Sequence, residues 1–338
     1  MSALFSLLLG AAGAVDLPPP PPTAKPAAGA FKPFDLTYLP RATNSVLAVR
    51  PGELVKHLGN QDEAEADTVR RMLAAAFAFL DGDLKAATPP ALADIEQVIL
   101  SAQLTLSVEP EKGGQSNFGV VGISSGLVRT AKPFDWAGCV KKWFPKAEAA
   151  EHGGREYLRV AIGFGKEKSY LALFVADART LAFDSDEDAI KGLLDRLDKK
   201  IKSPAPAGWD DVCRELVAVC HDTTADGWLT APEAPKRDID RALVTVGRKA
   251  TGVAVGFSAG DRTTLQVIAT ARDEGAAQEV RKALKVIVAN LSDADEVGPA
   301  VAKLFARTTV SRAGNVVRVS GSVPGDLFRR LLDPDAER

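Results

Sequence analysis

The chain has 338 residues, with 42 Lys and Arg against 44 Asp and Glu, and 46% of it is apolar. That balance is ordinary for a folded globular protein and excludes a disordered tail, a collagen and a polytopic membrane protein. A net charge of −2 supplies no basic surface for nucleic acid. Three Cys and three His are too few for a zinc module of ordinary ligand spacing.

At roughly 150 residues per domain, the length points to about two domains. Residues 1–14 carry no charge and end in Ala12-Gly13-Ala14. The run is shorter than the roughly 20 residues that cross a bilayer, and it fits a secretory apolar region with a small-residue cleavage site. No Lys or Arg precedes Lys25, so the basic flank of such a signal is missing. The expectation is an exported protein (periplasmic, envelope-associated or secreted) that does not span the membrane after cleavage at Ala14. Residues 15–33 read as a Pro-rich linker. Pro18 to Pro22 fix φ and remove donors, which favours a polyproline-like spacer. At ~3.1 Å per residue such a spacer reaches about 55 Å.

From Phe34 the pattern becomes globular. Ser45 to Arg50 reads as a short apolar strand stopped by Pro51-Gly52. Asp67 to Leu80 reads as a helix, with Val69, Met72, Leu73, Phe77 and Leu80 at helical spacing. Asp94 to Val108 and Phe118 to Ile123 read as strands, and Asp135 is placed to cap a helix running to Phe144. Tyr157 to Ile162, Tyr170 to Val175 and Thr180 to Phe183 read as antiparallel strands, and Asp186 to Leu197 as an amphipathic helix. In the second half, Asp238-Ile-Asp aligns with Asp94-Ile-Glu, and Thr263 to Ala269 with Phe118 to Ser124, at nearly one offset. A helix from Ala276 to Leu291, strands at Thr308 to Ser311 and Val316 to Ser320, and a last helix from Gly325 to Leu332 complete it. The fold expected is α+β: two tandem units, 34–203 and 204–338, each strand-strand-helix-strand-strand-helix. Short turns between strands imply antiparallel sheets with helices packed on one face.

The opening of the body, Phe34-Asp-Leu-Thr-Tyr-Leu-Pro40 followed by Val46-Leu-Ala-Val-Arg-Pro51, resembles the start of an uncharacterised family of exported bacterial proteins. The resemblance implies a Pro-rich lead, a tandem α+β body and export. It implies no active site.

Three stretches could carry chemistry. Gly122-Ile-Ser-Ser-Gly126 fits G-x-S-x-G, which in hydrolases lifts a serine (here Ser124) on a strand-to-helix turn. A helix should follow at once, but Leu127 to Lys132 carries no helical stripe, so a strand end with turn residues is the simpler expectation. Residues 222–233 match a calcium loop, with Asp222, Thr224, Asp226, the Trp228 carbonyl, Thr230 and Glu233 at the ligand positions and Gly227 at the sharp turn. The competing reading is a hairpin: a valine-rich strand to Cys220, a turn at Asp226-Gly227, and Trp228-Leu229-Thr230 returning. The hairpin is favoured, and no cofactor is expected. Cys213 and Cys220 are too far apart for a disulfide on one continuous helix and are expected as buried thiols unless the helix breaks between them. Asp184, Asp186, Glu187 and Asp188 are explained by a helix N-terminus with a Ser185-x-x-Asp188 capping pattern. The four Trp are expected in the core. With no convergent catalytic set, the sequence points to a non-enzymatic binding or structural module for an unknown protein or envelope component.

Overall fold

The computed structural model of the chain describes residues 31–41, 44–58, 89–108, 116–162, 169–203, 205–231, 235–258, 262–293 and 299–324. The expected signal peptide, most of the Pro-rich linker, the expected helix from Asp67, Glu233 and the expected last helix lie outside them. The described chain is α+β, built from helices and mainly antiparallel strands, and clusters into two compact units. The first comprises the described residues of Phe34–Gln103 and Gly122–Ala205. The second comprises the described residues of Leu104–Val121 and of Pro206–Arg338.

In the first unit, strand β1 (Ser45–Val49) leads into helix α1 (Pro51–Leu58). Pro51 therefore opens a helix as well as stopping the strand, because a first-turn position needs no N–H. A 3₁₀ turn at Leu92–Asp94 precedes β2 (Ile95–Val108), and β3 (Ser116–Thr130) follows it. Helix α2 (Trp136–Trp143) begins where Asp135 accepts the Gly138 N–H. Strands β4 (Glu148–His152), β5 (Arg155–Ile162), β6 (Ser169–Asp177) and β7 (Thr180–Asp184) form a meander before α3 (Glu187–Asp198). The strand order is β1-β2-β3-β7-β6-β5-β4, with β3–β7 and every pair of the meander antiparallel. Four strands thus follow α2 where three were read from the sequence. The missed one, β4, is the exposed Glu-Ala-Ala-Glu-His edge, which has no apolar alternation to announce it and is placed by its pairing with β5.

The second unit contains α4 (Trp209–Val212), β8 (Val217–His221), β9 (Leu229–Thr230), α5 (Asp238–Lys249), β10 (Ala250–Ser258), β11 (Arg262–Ala271), α6 (Glu274–Asp293), α7 (Pro299–Ala306), β12 (Thr309–Ala313) and β13 (Val316–Pro324). Its strand order is β12-β13-β11-β10-β8. Asp238-Ile-Asp opens a helix, whereas Asp94-Ile-Glu opens a strand, so the alignment of those two phrases is wrong. Arg237 with Asp240 and Arg241 with Asp238 form ion pairs three residues apart across the first turn of this helix.

Helices on one face of each sheet were expected; both units have cover on two faces. In the first, Leu171, Leu173, Leu181 and Phe183 share a cluster with Trp136, Cys139, Val140 and Trp143 of α2. The alternate residues Ala172, Phe174 and Ala182 are buried too. Strands buried on both sides need a second cover, and α3, packed on β6 and β7, brings Ile190, Leu193 and Leu194 to zero exposure. In the second unit, α6 packs Ala277, Val280 and Leu284 with Ala269, Val317 and Val319. On the other face of β10, Gly252, Ala254 and Gly256 admit the segment carrying α4: a Cβ at Gly256 would lie 3.0 Å from Val212 Cγ1, and one at Gly252 3.2 Å from Ala207 Cβ. All four Trp are buried.

Candidate functional site

Ser124 lies inside β3, with no turn or helix after it. Its carbonyl accepts the Ser185 N–H at 2.8 Å, and the next residue, Ser125, is the register partner of Asp184 on β7. Gly126 fits because a Cβ there would come within 2.6 Å of the Phe183 ring and 2.8 Å of the Ile99 carbonyl oxygen. The glycine of the apparent motif thus serves strand packing. The segment is mid-strand, which corrects the expectation of a strand end, because Leu127 and Val128 continue into the core at no more than 2% exposure. Of the histidines, His152 contacts Asp195 of α3 at 2.7 Å, and His221 lies on β8.

The stretch after β8 departs from the favoured hairpin. Leu229 and Thr230 do not return along β8; they pair in parallel with Leu106 and Ser107 of β2. Trp228 is the cause. Its indole is buried, packed against His221 with ring centroids 4.3 Å apart and the rings tilted at 57°, and it fills the space a Cβ on Gly247 of α5 would need. Burying so large a side chain draws the backbone off the β8 path, and β8 pairs β10 instead. Gly227 holds φ +72°, the left-handed turn its place in the sequence predicted.

The same stretch holds the proposed calcium ligands. The Asp222 carboxylate accepts the Thr224 N–H at 2.8 Å and the Thr224 hydroxyl at 2.6 Å. The Trp228 carbonyl accepts the Leu106 N–H at 2.6 Å. Asp226 and Thr230 lie on the turn and on β9, and a strand, not a helix, enters the loop. These oxygens cap a turn and extend a sheet, and among the described residues no group of three or more His, Cys, Asp or Glu could hold a metal ion. Millimolar calcium should therefore leave the melting temperature of the full chain where EDTA leaves it. A bound ion at 100-fold excess over its Kd would add ~2.7 kcal/mol, a rise that scanning calorimetry would register.

The densest polar constellation lies in the first unit, around Asp184. This carboxylate has no solvent exposure, ends a strand buried along its whole length, and meets Arg41 Nη2 at 3.0 Å and the Asp186 N–H at 2.8 Å. Loss of water is the largest influence on it and outweighs Arg41, so its pKa is raised to about 6. Arg41 also reaches Asp186 at 3.2 Å. Asp186, rather than the expected Ser185, caps α3 by accepting the Asp188 N–H. Glu187 takes the Tyr157 hydroxyl, and that bond is the main reason its pKa falls below the ordinary value.

Nearby polar groups hold the segment 34–41 against the unit. Gln97 pairs with both backbone groups of Asp35, and Arg196 Nη2 donates to the Leu39 and Pro40 carbonyls at 2.9 and 2.7 Å. Arg129 lies 3.5 Å from both Asp35 and Glu96, and Glu96 also binds Arg179. Phe34, Leu36 and Leu39 are buried beneath these bonds. Chemically the constellation is a clamp on the start of the folded body. Sequence reading explained Asp184 by the helix N-terminus and did not mark Arg41. The available signal was an aspartate directly ending the apolar run Leu181-Ala-Phe183.

All three cysteines are buried as thiols. Desolvation raises Cys139 to about 11 and Cys220 to about 12, so neither supplies a thiolate nucleophile at neutral pH.

No family model and no curated protein matches the chain. Among solved structures it is similar to the chain of "Structure of crystal form I of TP0453", at 8% sequence identity and a TM-score of 0.37, over 90% of this chain and 98% of that one. A likeness of that size carries no argument about function. Among the described residues, no helix is long and apolar enough to cross a membrane.

Proposed function

We propose that the chain is an exported, non-enzymatic binding or structural module, carried on a Pro-rich spacer and directed at a protein or another envelope component. One observation carries the reading: the groups that sequence alone marks for chemistry are committed to the frame. Ser124 is a strand residue, Asp222 caps a turn, and the Trp228 carbonyl pairs with β2. The bonds around Asp184 and Arg196 tie residues 34–41 to the first unit, which supports a body carried on the segment before them. The reading includes a tandem origin for the two units. In one, the hairpin β2–β3 is followed by α2 and then by a strand, β7, that returns to pair with β3. In the other, β10–β11 is followed by α6 and then by β13, which returns to pair with β11. In this view β4–β5 is an inserted hairpin.

Fractionation of the cells that make the protein tests export. The mature chain should be recovered outside the cytoplasm and begin at Val15 on N-terminal sequencing. A full-length chain confined to the cytosol would overturn the proposal.

A further inference from the structure

Cys213 and Cys220 are seven positions apart, and the break of the helix between them decides what they can do. Helix α4 ends at Val212, with Cys213 as its C-cap, and β8 has begun by Val217. Trp209, Val212 and Cys213 form the buried stripe of α4, while Asp210 and Asp211 face outward. That stripe lies on the face of β10 defined by Gly252, Ala254 and Gly256, since Val212 and Ala207 abut the two glycines. In the antiparallel register, Ala254 pairs with Cys220 and Gly256 with Ala218. Register partners share a face, so Cys220 projects from β8 toward the same layer that receives Cys213. Cys220 has zero exposure and Cys213 5%.

We propose that Cys213 and Cys220 are a dithiol–disulfide pair, which closes the α4–β8 connection covalently when the chain folds under oxidising conditions. Two further facts agree with the placement. After burial, Cys213 is the largest influence raising the Cys220 pKa, as a close neighbour would be. The intervening Val212–Glu215 turn brings the chain back on itself. The oxidant is a small-molecule or protein disulfide. One cysteine thiolate attacks it, giving a mixed disulfide and releasing one thiolate. The second cysteine thiolate then attacks the protein sulfur, forming the Sγ–Sγ bond and releasing the other half of the oxidant. Two thiols of the protein are oxidised and one external disulfide is reduced to two thiols. Because the buried thiols hold their protons, the bond forms while the chain folds and not after. The proposal deepens the export reading, since an extracytoplasmic compartment supplies such oxidants, but its test does not depend on where the protein resides.

Trypsin cleavage after Arg214 separates the two cysteines onto peptides 203–214 and 215–236. The full chain is denatured under reducing conditions, refolded in mixed reduced and oxidised glutathione, quenched with iodoacetamide and digested. The expected result is one joined species of these two peptides that splits on reduction, with Cys139 recovered alkylated. Titratable thiols should then fall from the three of the reduced chain to one. Cys139→Ala should keep the joined species, whereas Cys213→Ala and Cys220→Ser should each abolish it. Cys213→Ala keeps the test decisive if Cys220→Ser fails to fold. Recovery of all three cysteines alkylated, of glutathione on Cys213 or Cys220 without the joined species, or of Cys139 linked to either, would overturn the proposal.

Discussion

Truncating Leu193 to alanine should lower the unfolding free energy of the full chain by about 2–5 kcal/mol, the cost of removing a buried leucine and leaving a cavity. Leu193 has no exposure and stands between Ile190 and Leu194 in the buried stripe of α3. The helix covers β6 and β7, whose alternate residues are already packed against α2, so the sheet has little freedom to collapse into the gap. Ile201, three residues beyond α3 and 55% exposed, provides the control. Shortening it to alanine removes a similar hydrocarbon from water's edge and should change stability by less than about 0.5 kcal/mol. Urea titration followed by tryptophan fluorescence measures both, since Trp136 and Trp143 lie in the same unit. Equal effects at the two positions would mean that α3 is not seated as described.

The α3 stripe was legible in sequence because it obeys a single local rule, apolar residues at helical spacing behind a polar cap. The same holds for α2, capped by Asp135, and for β5, β6 and β7, whose apolar runs are bounded by turn residues. What escaped was set by partners distant in sequence. β4, Glu-Ala-Ala-Glu-His, has no apolar alternation and exists because β5 offers it an edge. β10 begins Ala-Thr-Gly-Val-Ala-Val-Gly, and its glycines and alanine read as weak strand until α4 is seen lying across them. α5 was mistaken for the start of a strand because Asp238-Ile-Asp resembled Asp94-Ile-Glu, and a three-residue likeness carries no periodicity.

The candidate sites divide along the same line. The 222–233 stretch satisfied a spacing rule, and even its glycine was placed correctly. The spacing could not say that the Trp228 indole would bury itself beside His221 and Gly247 and thereby steer Leu229 onto β2. Conversely, no motif marked Arg41, because its partner Asp184 stands 143 positions away and meets it only in the folded chain. A break between Cys213 and Cys220 was foreseen as the condition for bringing them together, and the structure supplies it.

Asp184 should make the protein more stable at pH 5 than at pH 7.5. Its pKa rises from 3.8 to about 6 on folding, first because burial strips water from the carboxylate. A raised acid pKa means that the folded state binds the proton more tightly. The stabilisation is complete below pH 3.8 and is lost as pH rises through about 6. Over the whole window the loss is ~3 kcal/mol, at 1.36 kcal/mol per unit. Glu187 works in the opposite sense, since its lowered pKa gives stability that is lost only as pH falls through its folded value, below the ordinary 4.5. Between pH 5 and 7.5 the Asp184 contribution therefore falls with rising pH while that of Glu187 stays constant. Asp184→Asn keeps an oxygen for Arg41 and for the Asp186 N–H but carries no charge. It should flatten that slope and be no less stable than the wild type at pH 7.5, because the desolvation it relieves exceeds the ion pair it gives up. Arg41→Ala should do the reverse, leaving a buried carboxylate without its counter-ion. It should cost roughly 3 kcal/mol at pH 7.5 and less at pH 5, where the proton replaces the missing charge. Urea titrations of the three proteins at both pH values decide the matter: parallel pH profiles for wild type and Asp184→Asn would show that the buried carboxylate does not hold its proton as argued.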